Sequence, residues 1–131
     1  MENINEFNFE NLSRLNTEIG EIVSLDTKIE NKCIRSKKDS NPIIGVRCNI
    51  ISENCYVCDI GCETVCILGI TKAKVIGRID IGEYITLSDI PGIGIGLNRV
   101  SKYINTERKI VGIALENKTY NDIGLVQILI K

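Results

Sequence analysis

Four thiols fall within the twelve residues of the stretch 55–66, CYVCDIGCETVC: Cys55, Cys58, Cys62 and Cys66. Cys33 and Cys48 precede them, and the chain contains no histidine. Thiols at such spacing serve metal binding, dithiol redox chemistry or disulfide cross-linking. Four-cysteine zinc sites usually join two C-x-x-C knuckles across a longer loop. Here one C-x-x-C is followed by two C-x-x-x-C steps. An iron–sulfur run carries one residue fewer and ends on proline. Thioredoxin-type chemistry sets its C-x-x-C at a helix start, for which a β-rich chain offers no place. No metal and no cofactor are therefore expected, and a small four-cysteine zinc-binding interaction module stays as an alternative.

Disulfides remain. Residues at i and i+3 or i+4 can pair within a loop, but successive near neighbours cannot all do so without strain. Some of these thiols are thus expected to face another copy of the chain. Glu53, Asn54, Asp59, Gly61 and Glu63 give the run a turn-like, solvated character, so Cys55, Cys58 and Cys62 are the candidates for intermolecular disulfides. Cys33, Cys48 and Cys66 lie in or beside strand-like segments and are expected to be buried or internally bonded.

Catalysis finds little support. Without histidine there is no imidazole base. Asp59, Glu63, Asp80, Glu83 and Asp89 are scattered among turns with no carboxylate pair spaced for acid–base work. Ser88 lacks the context of a nucleophile elbow. Gly92, Gly94 and Gly96 follow a proline, miss the G-x-G-x-x-G spacing and read as a β-turn with close backbone packing. No catalytic residue is assigned.

What must position the cysteines is a single domain. The chain has 131 residues, 44% apolar and 25% charged, enough for a real core. Its 16 basic and 17 acidic residues give no broad basic surface, which argues against nucleic acid as a partner. The one basic cluster, Lys32, Arg35, Lys37 and Lys38, reads as a solvated loop. No segment approaches the roughly 18 apolar residues of a membrane span. The N-terminus has neither a basic nor an apolar signal region, so synthesis in the cytoplasm without a leader is expected. Six cysteines nevertheless suggest an oxidising destination.

Short Ile- and Val-rich runs between Gly, Asp and Asn turns predict an all-β fold, a compact sandwich or barrel-like domain of about seven strands. Strands are expected at 19–25, 43–51, 65–70, 73–79, 84–87, 110–116 and 124–130, within a domain spanning 19–131. AKVIGRI and GLVQILI alternate imperfectly, as strands partly buried on both faces do. Residues 1–18, with Phe7 and Phe9, are expected to form an arm that packs on a neighbour.

GEYITLSDIPGIGIG (82–96), IVGIALE (110–116) and GLVQILI (124–130) resemble the C-terminal β-domain of phage tail-fibre and tail-spike proteins. That pattern runs Gly–acid–Tyr/Leu–Ile/Leu, a serine, Pro-Gly, Ile-Gly-x-Ala-Leu-Glu and a closing Gly-led strand. Residues 20–46 are similar to the opening of its self-cleaving intramolecular-chaperone relatives. The resemblance implies a β-fold, homo-oligomeric and often trimeric assembly, and a structural role. The family's members follow a fibre shaft, whereas Met1 here stands almost at the first strand, so no cleavage residue is carried over. The cysteine run is foreign to such modules. A cysteine-rich, leaderless assembly module also resembles clostridial exosporium proteins, made in the mother cell and oxidised when that cell lyses. The expected partner is the chain itself, as a trimer, hexamer or two-dimensional lattice, together with other spore-surface proteins. A phage tail-fibre tip is the alternative.

Overall fold

The computed structural model describes residues 17–37, 42–49, 54–100 and 109–131. The arm expected at 1–18 lies outside them except for Thr17 and Glu18, as does Lys38 of the basic cluster. The fold is all-β. Its strands are β1 (Ile22–Leu25), β2 (Cys33–Arg35), β3 (Ile43–Arg47), β4 (Cys55–Ile60), β5 (Glu63–Ile76), β6 (Tyr84–Leu87), β7 (Gly94–Gly96), β8 (Ile110–Ala114) and β9 (Gly124–Ile130).

Five of these strands close into a barrel. β5 runs parallel to β7, which pairs antiparallel with β6. β6 pairs with β8, β8 with β9, and β9 returns to β5 over the register Gly69↔Ile130 to Val75↔Gly124. Closure leaves these strands no open edge. Alternate side chains fill the interior: Ala73 and Val75 from β5, Ile85 and Leu87 from β6, Val126, Ile128 and Ile130 from β9.

β5 is longer than the barrel needs, at 14 residues. Its first half leaves the barrel and joins a second sheet in the order β2-β1-β3-β5-β4, antiparallel throughout. This sheet curls: the Gly61 N–H at one side donates to Asn31 Oδ1 at the other, 3.2 Å away. The barrel-side face of the sheet gives Ile22, Val46, Cys48 and Cys66 to the main core. Its other face wraps a smaller cluster of Val23, Cys33 and Val65, with Ile44, Cys58 and Ile60 against it.

β6 and β9 occupy the expected residues, and the 19–25, 43–51 and 110–116 segments form shorter strands. The runs 65–70 and 73–79 are one strand, β5, because its ladder passes from β4 to β9 without a break. Three strands depart from expectation. β2 lies where a solvated basic loop was expected. Cys33 and Ile34 are buried there, and Arg35 Nε bonds Glu21 Oε2 at 2.9 Å. β4 occupies half of the cysteine run read as turn-like. β7 replaces the expected glycine turn: a Cβ on Gly94 would stand 2.8 Å from Ile85 Cγ2, so the strand fits only without a side chain there.

Candidate functional site

The cysteine run is a β-hairpin. Residues 55–60 form β4, Gly61 and Cys62 make the connection, and β5 begins at Glu63, paired with Ile60. Gly61 adopts φ 63°, the positive value that a two-residue hairpin connection demands and that glycine meets at low cost. Asp59 and Thr64 pair across the ladder, where Thr64 Oγ1 donates to Asp59 Oδ1 at 2.9 Å.

Strand geometry decides what the C-x-x-C can do. Side chains at i and i+3 of a strand point to opposite faces. Cys55 accordingly packs on the main core and Cys58 on the smaller cluster. The two cannot bond each other, and each meets a cysteine from elsewhere in the chain. Cys55 packs against the cluster that holds Cys48, just past β3, and Cys66 on β5. Cys58 lies near Cys33 of β2. Cys62, at the tip, is exposed.

Of the intermolecular candidates, then, Cys62 is exposed and Cys55 and Cys58 are half-buried; Cys33, Cys48 and Cys66 are all buried. All six cysteines are thiols in this structure. Burial pushes the Cys33 and Cys48 thiols up to about 11, with Glu63 adding to the effect at Cys33 and Cys55 at Cys48. Cys66 is raised further, again by burial first; its Sγ donates to the Leu68 carbonyl at 3.6 Å. Among the described residues no group of three or more Cys, Asp or Glu is disposed to hold a metal ion.

Glu63, read as a solvated turn residue, is instead buried. The reason is a local network. Its Oε1 accepts from the Thr17 N–H at 2.7 Å and from Thr17 Oγ1 at 2.8 Å. Arg47 Nε stands 3.8 Å from the same oxygen, donates to Thr17 Oγ1 at 2.9 Å, and Arg47 Nη1 reaches the Thr64 carbonyl at 3.2 Å. A buried carboxylate persists where donors and a cation surround it.

Comparison with protein-family models, with curated proteins and with solved structures finds no match.

The outer surface of the hairpin is apolar. Tyr56, 71% exposed, and Leu68, 43% exposed, are cross-strand partners. Val57 and Ile67 add to the exposed apolar surface of the same hairpin. Among the described residues no strand pairs with the far side of β4. Among the described residues, an unpaired strand edge, exposed apolar side chains and a thiol at the tip thus lie on one hairpin. The thiols were legible as a group; the apolar surface beside them was not, because it depends on which strand lies at the edge.

Proposed function

We propose that this chain is a self-assembling structural protein whose copies are cross-linked by disulfides in the outer layer, the exosporium, of a bacterial spore. The observation that carries the reading is the hairpin 55–68, which has exposed Cys62 at its tip, the exposed pair Tyr56 and Leu68 towards its base and, among the described residues, an outer edge that no strand pairs. Exposed apolar surface marks contact sites, and an open edge accepts another strand. One patch repeated on identical copies generates rings or extended arrays. Disulfides formed after assembly would lock contacts already made by packing. Synthesis in the mother-cell cytoplasm followed by oxidation at its lysis reconciles cysteine content with compartment. The role is structural rather than catalytic, and its partners are the chain itself, as trimer, hexamer or lattice, and other spore-surface proteins.

A second reading, a phage tail-fibre tip or chaperone-derived trimer, is favoured by one observation. The stretches 82–96, 110–116 and 124–130 that carry the tail-fibre resemblance form β6 to β9, four of the five barrel strands, and hold no cysteine; residues 20–46, similar to the chaperone opening, form β1 to β3 and hold Cys33. Electron microscopy of the purified protein separates the two: an extended sheet supports the spore reading, and a discrete trimer or fibre supports the phage one. Light scattering that finds a stable monomer at high concentration, in oxidising and reducing buffer alike, overturns both. On non-reducing gels of oxidised protein, the high-mass ladder is expected to disappear when Cys55, Cys58 and Cys62 are changed to serine, and to fade with Cys62→Ser alone.

A further inference from the structure

We propose that the edge strand β4 pairs antiparallel with the β4 of a second copy about a two-fold axis at Cys58, and that the two Cys58 thiols close into an intermolecular disulfide. The pairing follows from the way β4 turns its backbone. Its connection to β5 has two residues, so Ile60 and Glu63 face each other as a hydrogen-bonded pair. At the other end the Asn54 carbonyl accepts from the Ile70 N–H at 2.9 Å. The register shift within this ladder sets Ile67 as an extra residue on β5 and leaves β4 unbroken, since Tyr56 faces Leu68 and Val57 faces Cys66. Tyr56, Cys58 and Ile60 therefore direct their N–H and C=O groups at β5, whereas Val57 and Asp59 direct theirs at the outer edge. Gly61 continues that outward series, and its N–H reaches Asn31 Oδ1 at 3.2 Å. Among the described residues no strand pairs with β4 on that side.

Self-pairing through Val57 and Asp59 has three possible axes, and the side chains choose among them. With Asp59 on the axis, two carboxylates stand directly opposite and repel. With Val57 on the axis, Asn54 falls opposite Ile60 and Tyr56 opposite Cys58. With Cys58 on the axis, Tyr56 falls opposite Ile60 on each side and the two thiols face each other. That register covers Tyr56, the most exposed of the large apolar residues at 71%, with a β-branched partner, a favourable cross-strand pair. Val57 and Asp59 then exchange hydrogen bonds with Asp59 and Val57 of the second copy, about four bonds in all. The Cys58 pair is of the non-hydrogen-bonded kind, whose Cα atoms stand about 4.5 Å apart, a separation that a disulfide spans. β4 also carries neither lysine nor proline, the residues that commonly block an edge.

The oxidant is a small-molecule disulfide. One Cys58 thiolate attacks one of its sulfurs, forming a mixed disulfide and expelling one small thiolate. The Cys58 thiolate of the second copy then attacks the first Cys58 sulfur, closing the bond between copies and expelling the second. Two protein thiols are oxidised, the small disulfide is reduced to two thiols, and the protein's two thiol protons pass to them or to solvent. A contact of two short strands falls well below the roughly 1,200 Å2 of a stable interface, so the bond fixes what the pairing only positions. The proposal rests on the self-assembly reading and gives it an order: Cys58 joins copies in pairs, and exposed Cys62 joins pair to pair.

The test uses the whole chain, reduced, freed of reductant and oxidised with glutathione disulfide. Remaining thiols are alkylated, the covalent dimer is taken from a non-reducing gel, and proteases cut it after Glu53 and Glu63 and before Asp59. These cuts place Cys55 and Cys58 on peptide 54–58 and Cys62 on peptide 59–63. The expected product is peptide 54–58 joined to a second peptide 54–58, with fragmentation assigning the bond to Cys58. The dimer should survive Cys62→Ser, which removes the higher bands, and vanish in Cys58→Ser. Val57→Pro, which deletes an outward N–H and none directed at β5, should lower the dimer yield about tenfold. A dimer joined only through Cys55 or Cys62, or Cys58 bonded within its own chain, overturns the proposal. Assembly that persists with Cys58 alkylated removes this pairing and leaves the structural reading standing; a monomer under every condition removes both. Should a variant fail to fold, the map of the unaltered chain decides by itself.

Discussion

In the folded, reduced chain Cys62 is expected to react first with iodoacetamide, Cys55 and Cys58 more slowly, and Cys33, Cys48 and Cys66 only on opening. A thiol must both ionise and be reached, and burial opposes each. Timed alkylation followed by peptide mapping checks the order; early labelling of Cys66 would contradict the packing described. The raised thiols also make stability depend on alkaline pH. An unfolded thiol loses its proton near pH 9, the value from which burial lifts Cys33 and Cys48 to about 11. The folded state therefore holds protons that the unfolded state has released. Their contribution is complete below about pH 9 and is lost as pH rises towards 11. Denaturant midpoints in reducing buffer should fall across that window, with a shallower fall in Cys33→Ala than in the unaltered chain. At this scale the sequence was informative about kind and misleading about neighbours. Burial of Cys33, Cys48 and Cys66 follows from their apolar surroundings. The segregation of Cys55 from Cys58 required knowing that residues 55–60 are extended. Lys118 shows the same limit: it sits in a polar turn sequence, yet it is buried, with Nζ donating to the carbonyls of Gly77 at 2.8 Å and Tyr120 at 2.7 Å.

Strands with Ile, Val and Thr on alternate positions declare themselves, so β6 and β9 stand where the pattern puts them. β2 is three residues long inside a polar stretch, and β7 is Gly-Ile-Gly; neither carries a period to read. Both exist because neighbours accept them, β2 through Glu21 and Arg35, β7 through its close fit on β6. Tertiary context overrides local preference there. Close approach recurs where β3 meets β5: a Cβ on Gly45 would run into the Cys66 backbone carbonyl. Gly45→Ala is expected to cost about 1–3 kcal/mol through overpacking, measured as a lower denaturant midpoint at unchanged slope. The Thr17–Glu63–Arg47 network offers a second element-scale test. Removing the carboxylate in Glu63→Ala leaves the Thr17 N–H and hydroxyl without their acceptor and Arg47 without its counter-charge, and a loss of about 3 kcal/mol is expected. Glu63→Gln, which keeps an acceptor oxygen, should lose less. Equal losses in the two variants would remove the carboxylate from the account.

For the molecule as a whole, elemental analysis of protein purified without chelator should find well under one zinc per chain, and chelators should leave its melting unchanged; a ratio near one with chelator-induced unfolding would restore the zinc module reading. A single calorimetric transition is also expected although the fold has two curled sheets, because the main core draws on both and β5 belongs to each. Composition and turn spacing were enough for an all-β domain. That one strand serves both sheets was hidden, since the polar pair Thr71 and Lys72 separates the expected runs 65–70 and 73–79. This shared strand has a mechanical consequence. Cys62 immediately precedes β5, whose far end is bound into the barrel. The strand bends on the way: Arg47 pairs with Val65, and the Gly20 N–H donates to the Arg47 carbonyl while the Gly20 carbonyl accepts from the Lys74 N–H. One residue thus bridges points of β5 that nine extended residues would hold about 30 Å apart, and Gly69, at φ 110°, lies between them. A pull on Cys62 by a tethered neighbour therefore does not run straight into the barrel: it meets this bend first, and the hairpin half of β5 takes the load before the barrel half does.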